Sequence, residues 1–136
     1  MSLHVEVVSP ERVTYSGDAD MVICRTVGGG DIAFQPGHIP FIGVLEVWEV
    51  RVLRSDGEDR FAVHQGFAQV AGDKVTILSD VSERAEQIDV SRAEAAAEGA
   101  RAALADNRED AAAATALRRA EVRLRVAGAD ASAAAH

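Results

Sequence analysis

Cysteine is almost missing from this chain. Cys24 is the only one in 136 residues, which excludes an internal disulfide and any metal centre built from several thiolates. Its place between Ile23 and Arg25 in a strand-like run marks it as an inert, buried or half-buried thiol. Long apolar stretches are missing too: nothing approaches the roughly 18 uninterrupted apolar residues of a spanning helix, so direct membrane insertion is not expected. Nor is there an excess of positive charge. Fourteen basic against twenty-two acidic side chains leave −8, and a net anion is repelled by phosphate backbones and anionic lipid. The expected partners are therefore proteins, not nucleic acid. The opening MSLHVEVVSP lacks a basic stretch followed by an apolar core and a small-residue cleavage site, so nothing marks it for export and an intracellular protein is expected.

Reactive constellations are equally scarce. His4, His38, His64 and His136 form no i, i+4 pair and have no cysteine partner, which argues against a transition-metal site and for surface or hydrogen-bonded core imidazoles. Gly28-Gly29-Gly30 lacks the Gly-Lys-Ser or Gly-Lys-Thr of a phosphate loop and reads as a turn. Glu58 and Asp59 after Asp56-Gly57 are not spaced like a calcium loop, and no serine or cysteine has a recognisable base and orienting acid. A non-catalytic protein is expected.

With 48% apolar and 26% charged residues the composition is globular, but it changes abruptly near Asp80. Residues 1–80 hold five alanines and residues 81–136 twenty-one, while all but two of eleven glycines fall in the first half. In that half, runs at Leu3 to Val8, Met21 to Val27, Val44 to Leu53, Phe61 to Val63, Phe67 to Val70 and Lys74 to Leu78 read as strands. The turns read at Ser16-Gly17-Asp18, Gly28 to Asp31, Pro36-Gly37, Asp56-Gly57 and Gly72-Asp73. Spacing this short predicts a sandwich or barrel dominated by hairpins. Period-two alternation turns Leu3, Val5, Val7, Phe61, Val63, Val75 and Ile77 inward and His4, Glu6, Arg60, His64, Lys74 and Thr76 outward.

The second half predicts two helices. The first is capped by Asp89 or by the Ser91 to Glu94 capping box and runs to about Ala105, where Asp106-Asn107 breaks it. The second starts near Glu109 or Asp110 and runs to about Val126, with Gly128 as cap. Their apolar stripes are thin: Ala93, Ala96, Ala100, Ala103 and Leu104 on one, Ala113, Leu117, Ala120 and Leu124 on the other. The expected organisation is an α+β chain: a β-sandwich over 1–84, a helical hairpin over 85–128 and a flexible tail over 129–136. Composition alone also fits a free-standing sandwich interaction module with a helical appendage.

Four motifs in order narrow this. They are Ser9-Pro10-Glu11-Arg12 with Tyr15-Ser16-Gly17 and Ala19-Asp20; Pro36-Gly37-His38-Ile39-Pro40-Phe41; Gln65-Gly66-Phe67 with Val70 and Lys74 to Asp80; and Ile88-Asp89-Val90-Ser91-Arg92-Ala93. Together the chain resembles the ε subunit of the F-type ATP synthase, departing from that pattern at Val47-Trp48-Glu49, where a proline-glycine turn is usual. The resemblance implies a sandwich of about ten strands and a helical hairpin in the central stalk, on the cytoplasmic face of the cell membrane. Its implied partners are the γ subunit and the c-ring, and the catalytic α and β subunits when the hairpin is extended.

On the same ground Asp31 is a c-ring contact and His38 a loop residue near γ. The residues themselves also fit a turn acid and a loop-ordering hydrogen bond. Glu83, Ile88, Asp89, Arg92 and Ala93 are the implied ATP-binding set, with ATP a regulatory ligand and no cofactor required. Gly99 stands where a full site favours a basic residue, and Asp89 and Arg92 also fit a cap and a helix-face charge. Arg118, Arg119, Arg123 and Arg125 form a basic cluster suited to an acidic surface and to damping ATP hydrolysis, or simply a solvated face paired with Glu94 and Glu98.

Overall fold

The computed structural model describes residues 2–135, with side chains for 2–128. One compact unit ends at Arg84 and a second begins at Ala85.

The first unit is built from ten strands: β1 Leu3–Val8, β2 Val13–Ala19, β3 Met21–Thr26, β4 Gly30–Phe34, β5 Phe41–Leu45, β6 Trp48–Arg54, β7 Gly57–Val63, β8 Gly66–Ala71, β9 Lys74–Leu78 and β10 Ser82–Arg84. They hydrogen-bond in the order β10-β7-β6-β3-β5-β8-β9-β1-β2, with β4 beside β3. One core takes Val5 and Val7 from β1, Val22 from β3, Val50 and Val52 from β6, Phe61 from β7 and Val75 and Ile77 from β9. Residues from both ends of the strand order share that core, so the sheet folds over itself into two layers. Tyr15 of β2 meets Phe61 of β7 edge to face at 5.3 Å, and the Asp20 amide donates to Leu53 O at 2.8 Å, drawing the two ends together. At about 1.5–3 kcal/mol for each buried large apolar side chain, this core is the main force holding the sandwich.

Several sequence expectations are corrected. Hairpins supply most pairs, but β1 and β9 run parallel from His4↔Lys74 to Val8↔Leu78. Ser16-Gly17-Asp18 is not a turn. It lies inside β2, opposite Glu6, Val5 and His4. Asp31 is likewise a strand residue of β4, since the turn closes at Gly28-Gly29. The run Val44 to Leu53 splits at Glu46-Val47 into β5, which pairs with β8, and β6, which pairs with β3 and β7. His64, set outward by alternation, is instead buried with its Nε2 3.1 Å from Glu83 Oε1, the hydrogen-bonded core imidazole that is the other expectation for it.

The second unit holds a 3₁₀ turn at Ala85–Gln87 and helices α1 Val90–Asp106 and α2 Ala111–Ala135. Asp89 is the cap of α1, its carboxylate accepting from the Arg92 amide at 3.1 Å. Asp110 does the same for α2, accepting from the Ala113 amide at 3.0 Å. Buried positions on α1 are Ala93, Ala97 and Ala100. Ala96, expected on that stripe, is exposed, while Leu104, Leu117 and Leu124 are half-buried. Gly128 does not end α2, which runs on to Ala135. The side chains of the expected tail and all of His136 lie outside the described residues.

Candidate functional site

The outer face of β5, β8 and β9 carries an apolar row. Antiparallel register sets Val44 opposite Phe67 and Phe67 opposite Leu78, with Ile42 one step along opposite Gln69. Side chains directly opposed across a sheet share a face. Here that face points away from the core: Ile42 is 70% exposed, Phe67 49% and Val44 48%. Ile39, in the loop before β5, is 75% exposed. Alternation places Gly43, Leu45 and Val70 on other sides of these strands, so the row is a second, outward set of apolar positions. Contiguous apolar surface on a rigid sheet marks an interaction face.

Asp31 stands on a neighbouring hairpin. Gly28 at φ 78° and Gly30 at φ 70° make the turn that returns β3 into β4, which sets Arg25 opposite Asp31. Arg25 Nε donates to Asp31 Oδ1 at 2.9 Å, and this bond, with the surrounding acids, raises the guanidinium above its ordinary range. Next to it, Cys24 faces the core, where burial pushes its thiol up to about 12.

His38 follows in the Gln35 to Pro40 loop. Its amide donates to Gln35 O at 3.1 Å and its ring nitrogen Nδ1 lies 2.7 Å from Ile39 O, so Nδ1 carries the proton. The ring stands edge-on to Phe34 at 5.0 Å, and the loop is tied down by Asp73, which accepts from the Gly37 amide at 2.9 Å. His38 thus orders a loop that carries the exposed Ile39.

The remaining expected site residues divide between the two units. Glu83 belongs to β10 and is paired with His64. Ile88 and Ala93 are buried, Asp89 is engaged as a cap and Arg92 is exposed. Arg118, Arg119 and Arg125 are exposed on α2 and Arg123 is half-buried.

An ion-pair network on β6, β7 and β10 was not legible in the sequence. Arg60 bridges buried Glu49 and Glu58, and Arg51 also reaches Glu58 at 2.9 Å. Asp59 receives Arg54 at 3.2 Å and Arg84 at 3.1 Å. Burial pushes the Glu58 carboxyl up, but hydrogen bonds from Arg51 and Arg60 more than offset this and hold it low. Burial and a hydrogen bond to Asp59 raise the Tyr15 phenol. The charges alternate along the chain, and only the strand register shows that they are mutual partners.

The family described as ATP synthase, Delta/Epsilon chain, beta-sandwich domain matches residues 2–85. Among curated relatives, the ATP synthase epsilon chain of Streptomyces griseus is 47% identical over 124 residues, covering 90% of this chain and 93% of that protein. The ATP synthase epsilon chain of Thermobifida fusca is 50% identical over 109 residues, covering 76% and 79%. Among solved structures, a chain in the Euglena gracilis mitochondrial ATP synthase, OSCP/F1/c-ring, superposes with a TM-score of 0.69 at 22% identity, covering 99% of this chain and 82% of that one.

Proposed function

This chain belongs to the ATP synthase epsilon chain family, and on that premise we propose that it is a docking subunit of the rotor. It joins the γ subunit to the c-ring so that proton flow drives ATP synthesis, and makes and breaks no bonds itself. The observation that carries this reading is the outward row Ile42, Val44, Phe67 and Leu78 on β5, β8 and β9. An apolar surface presented by a closely packed two-layer sheet grips a partner without deforming under load. In this reading the row and the His38 loop meet γ, and Asp31 meets the polar loops of the c-ring.

No helix among the described residues is long and apolar enough to cross a membrane. In the proposed reading attachment is through protein contacts, at the periphery of the membrane-bound complex and on its cytoplasmic face. The hairpin is the regulatory part. Arg118, Arg119, Arg123 and Arg125 are directed at an acidic surface of the catalytic subunits, and α2, at 25 residues, reaches about 38 Å. Charge reversal at Arg119 and Arg123 raises ATP hydrolysis in the reconstituted complex; unchanged hydrolysis removes this role. ATP is the regulatory ligand that goes with the start of α1, where the exposed Arg92 attracts phosphate. Calorimetry on the isolated protein tests this, and no heat of binding at millimolar ATP rejects it.

Docking is tested by Phe67→Asp, which leaves the core intact because Phe67 faces outward. Loss of a central aromatic anchor weakens the γ complex by about 2–4 kcal/mol. Undiminished co-assembly with γ would refute the assignment of this face.

A further inference from the structure

Arg25 sits where β3 changes partner. Toward its start β3 pairs with β6 as far as Ile23↔Arg51, and at Thr26 it pairs with Leu45 of β5. Between the two, the Arg25 carbonyl accepts from the Glu46 amide at 2.9 Å. The chain turns through Glu46-Val47 to pass from β5 into β6. Trp48, the first residue of β6, is set against the Arg25 side chain, with the guanidinium carbon 3.8 Å from the ring centroid. The edge of the same guanidinium reaches Asp31, Nε at 2.9 Å from Oδ1 and a terminal nitrogen at 3.5 Å from Oδ2.

A guanidinium stacked on an indole has its plane fixed, and one bonded along its edge has its direction within that plane fixed. An exposed ion pair alone holds neither, because side-chain freedom and screening nearly cancel its attraction. The Asp31 side chain meanwhile remains 56% exposed. Its carboxylate is therefore oriented by the guanidinium while the side chain stays accessible from solvent.

We infer that Arg25 and Trp48 are positioning residues, which hold the Asp31 carboxylate in the one orientation that meets a hydrogen-bond donor on a polar loop of the c-ring. The inference rests on the reading of Asp31 as a c-ring contact. A side chain ordered in advance loses no rotamer freedom on docking, and this is worth about two- to tenfold in affinity. Trp48 is the only tryptophan in the chain, so its emission reports the stack directly.

The test is rebinding of F1, assembled with the full-length chain, to membranes that carry the c-ring but have been stripped of F1. Asp31→Asn weakens rebinding. Arg25→Gln and Trp48→Leu each weaken it about two- to tenfold, and Trp48→Phe, which keeps a π face, restores it. Adding Trp48→Leu to Asp31→Asn causes no further loss, because the ring acts only through the carboxylate. Arg25→Gln also shifts Trp48 emission while the far-UV spectrum stays native. If Asp31→Asn weakens rebinding but Arg25→Gln and Trp48→Leu leave it unchanged, or if the losses simply add in the double variant, the positioning role is overturned. If Asp31→Asn rebinds like the native protein, the c-ring contact itself is overturned.

Discussion

Among the described residues, Gln65 is the only non-glycine with positive φ, at 67°. A left-handed conformation costs an L-residue about 1–2 kcal/mol. Ser79 Oγ donates to the Gln65 carbonyl at 2.6 Å and helps hold the strained peptide. Gln65→Gly therefore raises the stability of the sandwich, by about 0.5–1 kcal/mol once the greater freedom of glycine in the unfolded chain is subtracted; urea unfolding followed by Trp48 emission measures it. Its neighbour has no such latitude. Gly66 adopts φ 151°, and a Cβ there would collide with the Leu78 carbonyl oxygen. Gly66→Ala accordingly costs about 2–4 kcal/mol in the same assay. Glu58 supplies the pH dependence. Its folded pKa lies below the ordinary 4.5, so the stabilisation is fully present above that value and is lost as pH falls through the lowered one. Glu58→Gln flattens the acid side of the stability profile below pH 4.5, a comparison read from urea midpoints at each pH. Cys24, buried with its thiol near 12, stays unreactive toward a thiol reagent at neutral pH in the folded protein and reacts fully in denaturant.

At the scale of elements, legibility followed pattern. β1 and β9 match the sequence reading residue for residue because Leu3-Val5-Val7 and Val75-Ile77 alternate cleanly with polar neighbours. β2 escaped because Ser16-Gly17-Asp18 has turn chemistry, and pairing with β1 rather than propensity makes it a strand. β4 escaped because it opens on the last of three glycines. The Arg25–Trp48 stack was beyond any local reading, since it depends on where β3 changes partner. Asp31 and His38 were singled out by the family resemblance, while their settings, a cross-strand ion pair and an edge-on ring contact with Phe34, depend on the strand pairing. In the helices the N-terminal caps were legible, the Gly128 cap was wrong because α2 runs through it, and the stripe was displaced by one residue, from Ala96 to Ala97, because alanine everywhere leaves little periodic contrast. Gly99 has open space where a Cβ would go, so Gly99→Ala stabilises α1 by about 0.5–1 kcal/mol. A rise in the helical melting transition by circular dichroism checks it.

The whole molecule joins two structures of different stiffness. The sandwich buries Phe34, Phe61, Leu3, Leu45 and Ile77 completely, whereas the buried positions on α1 are alanines, which remove little apolar area from water. Such a division suits a fixed docking body that carries a movable regulator. In the proposed reading the grip on the rotor lies wholly within residues 2–84, on the row centred at Phe67. The most direct measurement is titration of γ with the full chain, with a fragment ending at Arg84, and with the full chain carrying Phe67→Asp. Equal affinity for the first two and a loss of about 2–4 kcal/mol for the third is the predicted result. A fragment that folds yet fails to bind γ, or a Phe67→Asp protein that binds as tightly as the native one, contradicts it.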